Sequence, residues 1–334
     1  MFWKKPEDEL RPFLPNFQVI EMVQTLSQTV DWGLKMLNVE GTWIKTKGDG
    51  IKICVLDTGK PLNHPDLEAN ILGAANFTSD ADLYDRESGH STHCGGIIGA
   101  IDNQQGVVGI APECELYFAK VLANNGLGKF EWIANGIQWA IDLQVDIISM
   151  SLGSTAQPPN NRIEKLLEKA VDNGIIPVAA AGNEGAKEVN YPARYDCCLA
   201  VSAVDKNKNI TSWSNQGTKV EISAPGSDIY STYLNGGYAI LSGTSQATPF
   251  ISGTLALCKA WHRIVTEDTS SCRNIAEARA HLENISDDLG QVGRDTTYGY
   301  GIPNLGKLSD SGSCSDSCND DIPTDNKGCL WPFK

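Results

Sequence analysis

The chain has no surplus of basic residues. Lys and Arg number 27 against 41 Asp and Glu, which leaves a net charge of −14 over 334 residues. Phosphate backbones are held by clustered positive charge, so this balance argues against nucleic acid as a partner. No apolar run is long enough to span a bilayer, which argues against a membrane partner. The start, Met1-Phe2-Trp3-Lys4-Lys5-Pro6-Glu7-Asp8-Glu9, lacks an apolar core of signal-peptide length and a small-residue cleavage site. An intracellular (cytoplasmic) location is therefore expected, with a secreted or processed form left open. Cysteine is not scarce, at 10 residues, but it lacks the spacing of a disulfide framework. Cys54, Cys94 and Cys258 fall in apolar segments and read as small buried hydrophobes, and Cys197-Cys198 are neighbours that cannot easily bridge each other. The rest is ordinary globular composition, 41% hydrophobic and 20% charged, with length enough for one large domain and its own core.

Missing motifs exclude chemistries as well. Val55-Leu56-Asp57-Thr58-Gly59 has no second Asp-Thr-Gly after an apolar strand, so a two-aspartate hydrolase is set aside. Gly89-His90-Ser91-Thr92-His93 lacks the Glu of His-Glu-x-x-His, so the zinc reading of its two histidines loses its base. What remains, with Gly243-Thr244-Ser245-Gln246-Ala247-Thr248-Pro249, is an aspartate, a histidine and a serine in that chain order. A serine hydroxyl is a poor nucleophile until a base takes its proton, and histidine titrates near the working pH. A buried carboxylate on the other ring nitrogen fixes the tautomer and stabilises the imidazolium. The expected roles are Ser245 as nucleophile, His90 as general base and then acid, and Asp57 as orienting carboxylate. A fourth segment, Ile175-Ile176-Pro177-Val178-Ala179-Ala180-Ala181-Gly182-Asn183, is an apolar strand running into an amide. Asn183 and the backbone N–H of Ser245 are the expected donors to a developing oxyanion.

These strings closely resemble the subtilisin family of serine proteases. The resemblance runs from about Gln28 to about Leu308 and takes in Asn63-His64-Pro65-Asp66-Leu67, Gly109-Ile110-Ala111-Pro112, Asp146-Ile147-Ile148-Ser149-Met150-Ser151-Leu152-Gly153 and Tyr298-Gly299-Tyr300-Gly301. It implies an α/β, three-layer fold with a mainly parallel central sheet, and a serine endopeptidase acting on protein or peptide substrates through an acyl-enzyme. It makes His90, not His93, the catalytic histidine. Ser91 stands where the family usually has Gly, and Gln246 where it usually has Met. Alternating apolar periodicities agree with the fold class, predicting strands at 51–56, 116–122, 145–150 and 175–181 and helices at 90–100, 130–144, 162–173 and 245–259.

The resemblance also assigns flanking sites. Gly126-Leu127-Gly128 and Ser151-Leu152-Gly153 would present backbone to an extended peptide. Ala180, Gly182 and Asn190 would line the pocket for the residue before the scissile bond, with Glu184 at its rim. Small lining residues imply a roomy pocket with no charge at its base, hence broad specificity. The loop 101–107 has the length of the family's calcium loop, which implies Ca2+ held by side chains of Gln28, Asp66 and Asn103 and carbonyls of Ile101, Gln105 and Val107. Residues 1–27 form an extension in which Phe13-Leu14-Pro15-Asn16-Phe17 loosely resembles the segment that intracellular relatives lay across their cleft. It is read either as a frayed arm or as an intramolecular inhibitor. The catalytic domain is placed at 28–308, and 309–334 is a Ser/Asp/Cys-rich tail with Cys314, Cys318 and Cys329, whose composition favours disorder. Assembly into a homo-oligomer stays open.

Overall fold

A computed structural model describes residues 12–14, 18–23, 27–265, 272 and 274–308. Pro15, Asn16, Phe17 and the cysteine-containing tail lie outside the described residues. In chain order the first elements are β1 (Gln18–Val23), α1 (Trp32–Met36), α2 (Val39–Trp43), β2 (Lys52–Asp57), β3 (Ile71–Asn76), α3 (His90–Gly99), β4 (Glu115–Lys120), α4 (Phe130–Asp142), β5 (Ile147–Met150) and α5 (Arg162–Asp172). Then follow β6 (Ile176–Ala180), β7 (Leu199–Val204), β8 (Val220–Pro225), β9 (Ile229–Thr232), β10 (Tyr238–Ser242), α6 (Thr244–Val265), α7 (Ile275–Ile285), β11 (Ser286–Asp287) and β12 (Ile302–Pro303).

Seven strands make one parallel sheet in the order β3-β4-β2-β5-β6-β7-β8. Its strands are apolar runs because both faces are covered. Side chains alternate along each strand. Ile53 and Val55 of β2 join the core under α3, α6 and α7, while Cys54 and Leu56 join the core under α4 and α5. The expected three-layer α/β architecture is the one observed.

The expected strands and helices appear with shifted ends. The strand predicted at 116–122 stops at Lys120 because Val121 and Leu122 both turn their N–H groups onto the Asp57 carbonyl, at 2.9 and 3.1 Å. The helix predicted at 245–259 runs on to Val265, since Lys259 does not end it. Its stem is buried and its ammonium reaches Asp146 at 3.3 Å. A second, three-stranded antiparallel sheet, β1-β10-β9, was not foreseen. It lies against α3, where Ser231 Oγ and Thr232 Oγ1 donate to the carbonyls of His93 and Thr92. Gly96 allows that approach, because a Cβ there would collide with both hydroxyls.

Candidate active site

Asp57 ends β2, the strand between β4 and β5, at the C-terminal edge where parallel sheets place their sites. It is fully buried. Its Oδ1 accepts the Thr58 N–H at 2.7 Å, and both its oxygens lie 2.9 Å from His90 Nδ1. That double contact makes Nδ1 the protonated nitrogen and leaves Nε2 as the basic one.

His90 opens α3 after Gly89, whose φ of 71° suits glycine and which has no side chain to cap the helix. Asp85 caps it instead. Its Oδ1 accepts from Gly89 N and Thr58 Oγ1, both at 3.0 Å, and its Oδ2 from Thr92 N at 3.0 Å and Thr92 Oγ1 at 2.9 Å. One carboxylate thereby fastens the start of the histidine helix to the residue after Asp57. The sequence reading missed Asp85, although an Asp just ahead of a helix that starts on Gly is a capping signal.

Burial alone would push the His90 imidazole down. Its neighbours, the Asp57 carboxylate first among them, together outweigh it and hold the imidazole well above the ordinary histidine value. Cys94 Sγ sits 3.9 Å from Nδ1, but burial raises that thiol, so it stays uncharged near neutrality and Asp57 is the anion that matters. His93 is a frame residue. Its Nε2–H is shared between the carbonyls of Ile229 and Ala239, at 3.1 and 3.2 Å, and burial drives its pKa to about 3.

Ser245 lies in the first turn of α6 and is buried. Four residues on is Pro249, inside the helix. Proline has no N–H, so the Ser245 carbonyl loses its i+4 donor. Ser151 Oγ at 2.7 Å and Cys94 Sγ at 3.4 Å take that place. These bonds clamp Ser245, the expected nucleophile, between the β5 end and α3. The Ser245 hydroxyl itself donates to Ser151 O at 3.2 Å.

Asn183 follows β6 by three residues. Its Oδ1 accepts from Thr244 N at 2.9 Å and Thr244 Oγ1 at 2.7 Å, which turns the NH2 toward the 243–245 turn. A methyl group on Gly243 would lie 3.1 Å from Asn183 Nδ2 and 3.6 Å from Ser245 N. Both expected oxyanion donors therefore border one small space, which a glycine keeps open.

The two cleft strands lie on either side of residues 12–14. Phe13 exchanges both backbone bonds with Gly153, at 2.9 and 3.1 Å. On the other side Leu14 N donates to Gly126 O at 3.1 Å, and Gly128 N to Pro12 O at 2.9 Å, with Phe13 bridging Leu127. Leu152, placed with the cleft from sequence, is fully buried core.

Ala180 and Gly182 are small, and the space beside Gly182 is bordered by the Asn190 and Asn215 amides and the Glu184 carboxylate. Glu184 Oε2 accepts from Asn190 Nδ2 at 3.1 Å and Asn215 Nδ2 at 2.6 Å. A cavity of about 740 Å³ touches Glu184 and Asn190 and is lined also by Lys187, Glu188 and Arg194. The cavity is charged, with Glu184, Lys187, Glu188 and Arg194 on its wall. The sequence reading missed Asn215, which is distant in the chain and carries no motif.

The loop 101–107 curls back on Asp66 and Gln28. Asp66 Oδ1 accepts from Asn103 Nδ2 at 3.0 Å, and Oδ2 from Val107 N at 3.0 Å and Tyr238 Oη at 2.9 Å. Gln28 Oε1 accepts from Gln104 N at 2.6 Å, and Asn103 Oδ1 from Gln105 N at 2.9 Å. A Cβ on Gly106 (φ 54°) would strike Asp66 Oδ2 and Tyr238 Oη, so the cradle is tight. One buried carboxylate, two amide oxygens and loop carbonyls are a hard-oxygen set of the kind Ca2+ takes. The residues present fit that ion in kind.

Comparison with known proteins agrees with this geometry. The model of the subtilase family (Peptidase S8) matches residues 48–301. An intracellular serine protease of Paenibacillus polymyxa is 42% identical over 252 residues, covering 73% of this chain and 76% of the relative. The major intracellular serine protease of Bacillus subtilis is 39% identical over 290 residues, covering 84% and 87%. A thermostable alkaline protease of Halalkalibacterium halodurans is 40% identical over 298 residues, covering 88% and 78%. A parallel sheet bearing Asp57, a helix opening on His90 and a helix opening beside Ser245, matched over most of the chain, make this protein a serine endopeptidase of the subtilase family.

Proposed function

We propose that the chain is a calcium-stabilised endopeptidase that acts inside the cell and is held in check by its own N-terminal extension. Ser245 Oγ attacks the peptide carbonyl while His90 Nε2 takes its proton. Asp57 keeps the imidazole oriented and stabilises its charge. Asn183 Nδ2 and Ser245 N–H receive the oxyanion, a contribution worth about 3 kcal/mol per donor in such sites. His90 then protonates the departing amine, and water, activated by the same imidazole, releases the acyl group. Specificity is broad for uncharged side chains, and Glu184 disfavours acidic ones next to the scissile bond.

Bound Ca2+ would supply positive charge that gathers the oxygens of Gln28, Asp66 and Asn103 with the carbonyls of Ile101, Gln105 and Val107. No chemical step passes through it. The intracellular setting is favoured by the two intracellular relatives; among the described residues, no helix is long and apolar enough to cross a membrane.

The observation that carries self-inhibition is Phe13, hydrogen-bonded as the middle strand between Gly153 and Leu127. Those are the backbone groups an extended substrate would need. Two positions after Phe13 the sequence carries Pro15, which has no N–H to donate. Deleting residues 1–17, which leaves β1 in the chain, is expected to raise kcat/KM on a short chromogenic peptide by tenfold or more (on the order of one lost strand contact set). An unchanged rate would return the segment to a frayed arm.

A further inference from the structure

We propose that the Gln246 side-chain amide is a further catalytic group of this site, a third donor to the oxyanion formed when Ser245 attacks a peptide carbonyl. This rests on the reading of Ser245 as nucleophile and of Asn183 as an oxyanion donor. Gln246 follows the nucleophile in the first turn of α6, where its N–H donates to Gly243 O at 3.0 Å. Its side chain is fully buried, and among the described residues neither Oε1 nor Nε2 has a hydrogen-bond partner. A buried amide is ordinarily paired, because it has given up water and lies in a medium of low dielectric. An unpaired one beside a reacting atom is available to a charge that exists only during the reaction. The side chain also lies in the right place. A methyl group on Gly243 would meet Gln246 Oε1 at 2.8 Å, Asn183 Nδ2 at 3.1 Å and Ser245 N at 3.6 Å. Three polar groups thus border the space that Gly243 leaves open.

The chemistry follows from what each amide is tied to. Asn183 is fixed by its Oδ1, which accepts from Thr244 N and Thr244 Oγ1, and Thr244 Oγ1 in turn accepts from Gly182 N at 3.1 Å. Gln246 has no such tether among the described residues. The last torsion of a glutamine side chain is broad and roughly two-fold, so a half turn exchanges Oε1 for Nε2 and breaks no bond. As Ser245 Oγ bonds to the carbonyl carbon, its proton passes to His90 Nε2 and the carbonyl π pair becomes a lone pair on the oxygen. Negative charge there repels Oε1 and draws the NH2 group inward. This bond is made to the transition state and not to the bound substrate, so it raises kcat and leaves KM nearly unchanged. Methionine, usual in the family at this position, has no N–H and cannot make it.

The test uses the full-length chain, a peptide p-nitroanilide and a peptide aldehyde of the same sequence. The aldehyde takes up Ser245 Oγ as a hemiacetal and places its oxygen where the oxyanion forms. In Gln246→Met, a swap that nearly conserves volume, kcat should fall about tenfold with KM unchanged, and the inhibition constant of the aldehyde should rise by the same factor. The melting temperature should hold or rise, since a buried unpaired amide is gone. Gln246→Glu puts acceptor oxygens in the same place, and its kcat should lie below that of Gln246→Met. Parent-level kcat and aldehyde affinity in Gln246→Met would overturn the proposal. A loss of kcat with unchanged aldehyde affinity would also overturn it, by leaving Gln246 a packing role. Asn183→Ala, measured beside them, separates this from failure of the underlying reading. A loss of about a hundredfold in kcat there upholds the oxyanion site whatever Gln246 does, and parent-level kcat there would sink both.

Discussion

At His90 two opposing effects act on one imidazole. Burial disfavours its charged form, and the Asp57 carboxylate, 2.9 Å from Nδ1, leads the neighbours that together favour it more strongly. Catalysis needs the neutral ring, whose Nε2 accepts the serine proton. A raised pKa keeps the ring protonated to higher pH, so activity is lost as pH falls through that raised value. The acid limb of the kcat/KM profile is therefore expected above about 6.5, the ordinary histidine value. In Asp57→Asn the charge is gone and burial is left, so the limb should move below about 6.5 while the rate drops by roughly 10⁴. A pH profile on a short peptide checks both, and a limb that stays in place on substitution would show that another group sets it. Asp85 belongs to the same scale, since its four accepted bonds hold the first turn of α3 at the spacing Asp57 requires.

Among the elements, α6 shows how a local defect serves the site. A proline within a helix removes one backbone bond and ordinarily costs about 3 kcal/mol. Here the carbonyl released by Pro249 is that of Ser245, and Ser151 and Cys94 use it to fix the nucleophile residue from outside the helix. Pro249→Ala would return an N–H to that carbonyl in competition with both. The expected outcome is an unchanged or higher melting temperature with kcat lower on the order of tenfold, because small displacements of a reacting atom are costly. A kcat equal to the parent's would leave the outside bonds without a positioning role. Elements of this kind explain what was legible beforehand. Asp57, His90, Asn183 and Ser245 stand at the ends of apolar runs, and periodicity marks such ends. Asp85 and Asn215 act through tertiary contacts to residues 27 and 31 positions away, and no local pattern records those partners. β1 was equally hidden, since strand pairing with β10 spans more than 200 residues of sequence and is set by the partner's open edge.

On the scale of the whole molecule, the N-terminal extension and the loop 101–107 are joined. The strap after β1 is tied to the loop by Gln28 N to Gln104 O, Thr29 N to Gly106 O and Gln28 Oε1 from Gln104 N. Gln28 Nε2 donates to Asp102, which pairs with Lys47 at 2.8 Å. Asp66, at the centre of the cradle, also accepts from Tyr238, the residue opposite Val23 at the end of β1. Ordering the loop should therefore stabilise the body and tighten the extension together. Each ligand-bound state is favoured by the free energy of binding it, about 2.7 kcal/mol at a hundredfold excess over Kd. Removing calcium with a chelator is expected to lower the melting temperature by several degrees, a shift that added Ca2+ reverses and Mg2+ does not. The Asp66→Asn variant, which loses the only carboxylate among the proposed ligands, should melt at the same temperature with and without the chelator. The two proteins differ only at one fully buried side chain, so equal responses to the chelator in parent and variant would place the ion, and the coupling through it, elsewhere in the molecule.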